Sequence, residues 1–322
     1  MWSARGSEAA REQAMVLPGL NIAYVTGTDA QRMLNTGILR ESFNHHMPDQ
    51  TLQICDFGMV LKERRFWQAV GGYLPPPQQL PGNLHPWYYK ASLCQFLDTS
   101  SYDAIVWLDA DMLVMAPIHD EIEDLVGKMK SENLSVGAAL DASQLNVGDA
   151  LSAFARSGSD LAPFEALLDR FNKNRLDGYL NTGFLVITDF GFCKRWQRET
   201  LDQDEWLLFE QNTFNALTGA NGSRVLEMAA AVWNVHGDLL ADVDITNPDS
   251  PLRILHTTSA EQRHHIENQI QYPIGNQVLS GWFKLFVRSD LRDLQQQYLL
   301  AFLQNNLAHL TRCQLLETPD HA

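Results

Sequence analysis

Tyr102-Asp-Ala-Ile-Val-Trp-Leu-Asp109-Ala-Asp111-Met-Leu-Val-Met-Ala-Pro117 begins as a strand and ends on a pair of acids. Ala104, Ile105, Val106, Trp107 and Leu108 run without a polar break, as in a strand covered on both faces. Alternate side chains of an extended chain share a face, so Asp109 and Asp111 are expected to point one way and Ala110 the other. Paired carboxylates where an apolar strand ends point to a metal site at the edge of an α/β sheet, where ligands of open α/β sheets bind. Two other Asp-x-Asp triplets, Asp202-Gln-Asp204 and Asp242-Val-Asp244, lack that launch. The first lies in a charged run and the second precedes Asn247-Pro248-Asp249, a turn-rich stretch.

The 322 residues are enough for a sizeable core, in one large domain or two coupled ones. An apolar fraction of 45% is that of a globular chain. The net charge of −15 argues against general nucleic-acid binding, which Lys and Arg carry, and favours cation binding. Cys55, Cys94, Cys193 and Cys313 are widely spaced and form no Cys-x-x-Cys pair. Neither a zinc site nor a disulfide framework is expected, and a reducing cytoplasm is the expected compartment. No apolar run is long enough to span a bilayer, and no continuous apolar signal core opens the chain. Residues 1–15 read as a loose polar tail.

Working outward, residues 20–25 read as a first strand running into a turn at Thr26-Gly27-Thr28-Asp29. A helix over about residues 30–43 and a strand at 52–56 complete a βαβ unit, and hence a parallel sheet. Gly27, at a strand-to-helix turn, is where a backbone approaches a nucleotide, or simply where the chain turns. There is no Gly-x-Gly-x-x-Gly and no Walker loop, which disfavours ordinary dinucleotide sites and NTPases. Residues 71–86 form a Pro-rich loop, either a binding lip or a stiff crossover. Residues 87–97 read as a helix carrying Lys90. A strand at 134–141 ends on Asp141, and 142–178 is small and polar with a helix near 163–171. Asn181-Thr182-Gly183 turns into an apolar strand. Helices follow at about 192–199 and 205–217, the latter bearing Glu210 and Gln211. Residues 227–234 read as strand or loop ending in Trp233-Asn234, and 252–256 is a short strand delivering His256. From residue 280 the apolar spacing is helical, through Leu291, Leu294, Tyr298, Phe302, Leu303, Leu307 and Leu310. That stripe packs on its own domain or docks on a partner, a second copy or a membrane surface, a protein contact ranking above lipid because basic residues are few. The division expected is a tail at 1–15, a main domain over 16–279 and a C-terminal helical segment over 280–322.

Asp109/Asp111, Asp141, Asn181 and His256, in this order, make a set that resembles the retaining glycosyltransferases of family 8, the group of glycogenin and the bacterial lipopolysaccharide galactosyltransferases. The resemblance covers residues 20–259 as motifs in order, without close overall identity. It implies an A-type nucleotide-sugar transferase fold, a Rossmann-like α/β domain with a mixed, mostly parallel sheet. It implies Mn²⁺, or Mg²⁺, held by Asp109, Asp111 and His256. It implies donor contacts from Thr26, Gly27, Lys90, Asp109, Asp141, Asn181 and Thr182. Glu210-Gln211 stands where the family has Asp-Gln, and with Asn181 these are the catalytic candidates. Trp233-Asn234 is similar to a later Trp-Asn of the family. The sequence departs from the pattern after His256, where His256-Thr-Thr-Ser-Ala-Glu-Gln-Arg263 lacks the family's Gly and Lys-Pro-Trp, leaving Arg263 as a candidate substitute.

The chemistry implied is transfer of a hexose from a nucleotide-sugar, UDP by resemblance, to a hydroxyl acceptor. A divalent cation stabilises the departing diphosphate, and two carboxylates with an imidazole suit Mn²⁺ better than an all-oxygen Mg²⁺ site. Retention by front-face displacement is the implied outcome, with Gln211 near the anomeric carbon. The alternatives are an inverting enzyme on the same fold using Glu210 as base, and a non-catalytic subunit that binds a nucleotide-sugar or serves assembly. A haloacid-dehalogenase phosphatase is disfavoured by the late position of the acids and by Leu113. A pyrophosphorylase is disfavoured by the lack of basic residues in 25–29. Taken singly, each residue has a plain reading: His256 a packed strand-end histidine, Asn181-Thr182-Gly183 a turn, Asp141 a helix cap, Glu210 and Gln211 helix surface. Their joint order carries the functional reading.

Overall fold

The structure, a computed structural model, describes residues 19–82, 84–219, 223–258 and 263–318. In chain order its strands are β1 (Ile22–Thr28), β2 (Leu52–Asp56), β3 (Tyr73–Leu74), β4 (Ala104–Leu108), β5 (Met112–Val114), β6 (Val136–Leu140), β7 (Leu180–Ile187), β8 (Val225–Met228), β9 (Ile254–His256), β10 (His265–Ile274) and β11 (Gln277–Phe286). Its helices are α1 (Met33–His46), α2 (Leu61–Val70), α3 (Pro86–Ala91), α4 (His119–Ser131), α5 (Val147–Arg156), α6 (Ala162–Phe171), α7 (Phe190–Leu201), α8 (Phe209–Leu217), α9 (Ala230–Trp233) and α10 (Ser289–Arg312).

Seven strands make one mixed, mostly parallel sheet in the order β3-β2-β1-β4-β7-β6-β8. Only β7 runs against its neighbours. The apolar run that opens the reading is β4, buried along its whole length. Its side chains divide by parity: Ala104, Val106 and Leu108 enter one core cluster, Ile105 and Trp107 the other. β1 divides the same way, with Ile22 and Tyr24 on one side and Ala23 and Val25 on the other. Helices cover both faces, so neither face of these strands needs a polar residue. Between β1 and β4 the strand order reverses direction. This is the switch point where the strand ends leave a crevice.

Two small sheets complete the fold. β5 pairs antiparallel with β9, and β10 pairs with β11 as a hairpin of ten-residue strands. The stretch from residue 280, expected to be helical, is β11 up to Phe286, and the helix begins only at Ser289. The overlooked signal is Gly275-Asn276 between two strand-length runs. Gly275 takes φ +64°, which a two-residue hairpin turn with Gly first requires. α10 then buries Leu291, Leu299, Phe302, Leu303 and Leu310 in the chain's own core, leaving Leu300 and Leu307 exposed.

Other expectations need correction. β1 continues through Thr26, Gly27 and Thr28 instead of turning there. The helix expected over 87–97 is α3 followed by a separate 3-10 turn at Leu93–Gln95. The polar span 142–178 contains α5 as well as α6. Cys94 and Cys193, 99 residues apart, are joined with their Cα atoms 6.4 Å apart, against the expectation of no disulfide. The 3-10 turn packs on α7 and brings them together, which spacing alone cannot reveal. The tail at 1–15 lies outside the described residues, and no helix among the described residues is long and apolar enough to cross a membrane.

α1 and α10 pack closely because α1 offers Gly37. A Cβ built there would lie 2.7 Å from the Phe302 ring. Gly37→Ala gains about 1 kcal/mol of helix propensity but overpacks a fully buried ring at a cost of about 1–3 kcal/mol. The expected result in urea unfolding is a net loss of stability, partly recovered by adding Phe302→Leu.

Candidate functional site

β4 ends at Leu108 and the chain turns at once. The Met112 amide donates to the Asp109 carbonyl at 3.1 Å, so Asp109, Ala110 and Asp111 form a tight turn into β5 and not the extended run expected. The two acids converge through that turn. β9 lies against β5 in the register Met112↔His256, and the Thr257 amide donates to the Asp111 carbonyl at 2.9 Å. This pairing sets His256 beside Asp111. Its Nε2 is 3.2 Å from Asp111 Oδ1 and 3.9 Å from Asp109 Oδ2.

Asp109, Asp111 and His256 each offer a ligand atom, all within 4.8 Å of one another. The histidine is oriented from behind. Asn234 Nδ2 donates to Asn181 Oδ1 at 2.9 Å, which turns Asn234 Oδ1 toward His256 Nδ1, also at 2.9 Å. The Nδ1 proton is thereby engaged and Nε2 is left facing the two carboxylates. Three electron-pair donors then converge, the donor set of a divalent metal with an oriented imidazole. The network continues from Asn181 Nδ2 to Asp141 Oδ2 at 2.9 Å, and Asp141 Oδ1 accepts the amides of Ser143 and Gln144.

Asn181 and Thr182 sit inside β7, not in a turn before it. The register between β6 and β7 jumps there: Leu185 pairs with Ala138, but Asn181 pairs with Ala139. The bulge frees Thr182 and Gly183 from β6. Because β7 is antiparallel, its beginning lies at the edge where β4 and β6 end, so Asn181, Asp109 and Asp141 share that edge. Gly183 makes the approach of His256 feasible, since a Cβ there would meet His256 Cε1 at 2.5 Å.

On the other side stands Lys90, 6% exposed. Its Nζ lies 2.9 Å from Asp109 Oδ1, donates to Thr182 Oγ1 at 3.1 Å, and lies 3.8 Å from Glu210 Oε2. Burial pulls its pKa down, but Asp109 and Glu210 outweigh burial and hold it above the ordinary value, so the ammonium stays charged. Asp109 Oδ1 also accepts from the Trp107 indole at 2.7 Å. Burial pushes Glu210 up to about 7 against the pull of Lys90, and its Oε1 has no hydrogen-bond partner among the described residues. Gln211 Oε1 accepts the Thr182 amide at 3.2 Å. Glu210 and Gln211 are thus buried against β7 and are not helix surface. Asn215, from the same helix, accepts the Leu180 amide and donates to the Leu180 carbonyl, clamping the start of β7.

Thr26 and Gly27 are buried within β1, and Gly27 gives its space to Phe57, whose ring would be 2.3 Å from a Cβ. The absent side chain makes room for that ring. Sequence reasoning also missed Lys284. Its Nζ lies 2.6 Å from Asp111 Oδ2, delivered by β11 across 173 residues. Burial pushes Asp111 up, but Lys284 and His256 together hold it well below the usual carboxylate range. His236, whose ring is 5.7 Å from that of His256, accepts the Ala142 amide at 3.3 Å, and burial lowers its pKa to about 4.

Two outcomes are expected. Gly183→Ala displaces His256 and weakens divalent-metal binding by about 10–100-fold, the usual size for lost ligand orientation, measured by calorimetric titration of Mn²⁺. Glu210, ordinarily near 4.5, ionises near 7 in the fold. Between these values the folded state keeps a proton that the unfolded chain has released. The corresponding stability is full below about 4.5 and is lost as pH rises through about 7. Urea unfolding at pH 5 and pH 7.5 should show a smaller loss for Glu210→Gln than for the wild type.

No protein-family model matches the sequence, and no curated protein sequence matches it. Solved structures do. The chain is similar to the bifunctional glycosyltransferase WbbM at 16% identity and a TM-score of 0.47, over 74% of this chain but 46% of that one, so it spans about half of WbbM's length. It is similar to the galactosyltransferase LgtC, solved with donor and acceptor sugar analogues, at 16% identity and a TM-score of 0.43, over 73% of this chain and 86% of that one. It is also similar to the glycosyltransferase GlyE of Streptococcus pneumoniae at 15% identity and a TM-score of 0.49, over 95% of this chain and 66% of that one.

Proposed function

We propose that this protein is a metal-dependent glycosyltransferase that moves a hexose from a nucleotide-sugar, most simply a UDP-sugar, to a hydroxyl acceptor with retention. The observation that carries this reading is the convergence of Asp109, Asp111 and His256 within 4.8 Å at the edge where β4 and β6 end. The set fits Mn²⁺: two hard carboxylate oxygens, and one imidazole nitrogen whose other nitrogen is engaged by Asn234. When bound, the metal supplies Lewis-acid stabilisation of the departing diphosphate.

The chain's own residues supply the rest. Lys90 and Lys284 flank the acids with positive charge for an anionic leaving group. Asp141, Asn181 and Gln211 offer carboxylate and amide groups beside them, the chemistry that orients sugar hydroxyls. Retention is preferred to inversion because the carboxylates left over for a base, Asp141 and Glu210, are both buried. Asp141 is held by Asn181 and two backbone amides. Glu210 faces Lys90 and Thr182 and is 2% exposed. Glu210 in this reading tunes the charge of Lys90 and does not deprotonate the acceptor.

The test is a panel of UDP- and GDP-sugars with Mn²⁺ present. One donor should raise the melting temperature by mass action and be slowly hydrolysed. Chelation and Asp111→Asn should each abolish hydrolysis. If no donor in the panel binds with Mn²⁺ present, the reading is wrong.

A further inference from the structure

The two acids of the site do not stand bare. Asp109 carries Lys90 at 2.9 Å and Asp111 carries Lys284 at 2.6 Å, so each carboxylate has its own ammonium. The lysines are held differently. Lys90 is walled in by Thr182, Glu210 and the Trp107 ring. Lys284 is pinned at its backbone, with its ammonium on Asp111. Its amide donates to Asn35 Oδ1 at 3.2 Å, and its carbonyl accepts from Asn35 Nδ2 at 3.3 Å and from Gln295 Nε2 at 3.2 Å. Asn35 and Gln295 are buried on α1 and α10, and Gln295 also donates to the Thr257 hydroxyl, next to His256. A rigid base therefore carries a flexible four-carbon stem. The side chain is 19% exposed and its ammonium rests on Asp111.

We propose that Lys284 is an exchangeable counter-ion that makes the divalent metal and the nucleoside diphosphate bind as a pair, leaving Asp111 when the metal arrives and passing to the diphosphate. This rests on the nucleotide-sugar reading above. A dication approaching Asp111 alone meets an ammonium already on that carboxylate and is repelled by it. A diphosphate approaching alone meets two ammoniums that the acids already neutralise. When both enter, Asp111 exchanges Lys284 for the metal, and Lys284 meets the phosphate oxygens. Like-charge repulsion is relieved and opposite charges are matched in one step. Each ligand thus raises the affinity of the other by the same factor, as linkage requires. The role of the hairpin β10–β11 follows: it holds the lysine that couples the two ligands.

The coupling is read by calorimetry, titrating Mn²⁺ alone, UDP alone, and each in the presence of the other. In the wild type, saturating UDP should tighten Mn²⁺ by about tenfold or more, and Mn²⁺ should tighten UDP equally. Lys284→Met should bind Mn²⁺ alone several-fold more tightly than the wild type, bind UDP more weakly, and lose most of the coupling. Lys284→Arg, which keeps the charge, should retain the coupling and serves as a second variant should the methionine substitution disturb folding. If Lys284→Met binds Mn²⁺ alone no more tightly, or keeps the full coupling, the counter-ion proposal is overturned while the nucleotide-sugar reading stands. If the wild type binds no Mn²⁺ with or without UDP, and GDP run beside it does no better, the reading beneath it fails as well.

Discussion

The short pairing of β5 with β9 is the contact on which the site depends. Three residues of each strand meet, and the register places His256 opposite Met112 with the Thr257 amide on the Asp111 carbonyl. The central strand and its acids thereby acquire a third donor from a segment far along the chain. Backbone hydrogen bonds set the approach, and a glycine at 183 leaves room for the ring. Neither the acids nor the histidine alone would define a site. Their geometry comes from the ladder between them.

The antiparallel β7 has a second organising effect. In a wholly parallel sheet, Asn181 and Thr182 at the beginning of a strand would lie at the opposite edge from Asp109 and Asp141. Running β7 backwards brings its start to the edge where β4 and β6 end. The bulge opposite Ala138 and Ala139 then releases Thr182 and Gly183 from the β6 ladder. α8 is tied to this start through Asn215, so Glu210 and Gln211 arrive with it. The polar residues of the edge form one hydrogen-bonded body, His256–Asn234–Asn181–Asp141, with few degrees of freedom left to a ligand. Such fixed polar surroundings are what electrostatic stabilisation of a charged transition state requires.

Burying several charges in one place is costly unless each is compensated. Here compensation is local. Lys90 answers Asp109 and Glu210, and Lys284 answers Asp111. The pKa of Asp111 is held low and that of Lys90 high, while burial moves Glu210 toward neutrality against the pull of Lys90. The hairpin and α10, remote in sequence from the acids, take part in this balance because they position Lys284. Gly37 and Phe302 let α10 approach α1, so the packing of the last helix bears on the charge of the site.

By itself the sequence determined much. The unbroken apolar run before Asp109 marked a central strand buried on both faces. The βαβ spacing marked a parallel sheet, and Asp109, Asp111, Lys90, Asp141, Asn181, Glu210, Gln211 and His256 all come together at one edge. The strand and its two acids were legible because local pattern encodes burial, and the other residues were picked out because the order of their motifs resembles that of a known family. Tertiary structure alone decided the rest. The turn that joins the two acids, the reversal of β7, the joining of Cys94 to Cys193 and the arrival of Lys284 are pairings across many residues. Residues 280–286 show the reason most plainly. A short apolar stretch satisfies a helical stripe or an alternating strand equally well, and only a partner strand, here β10, selects between them. The residue that completes the charge balance of the site was hidden in that ambiguity.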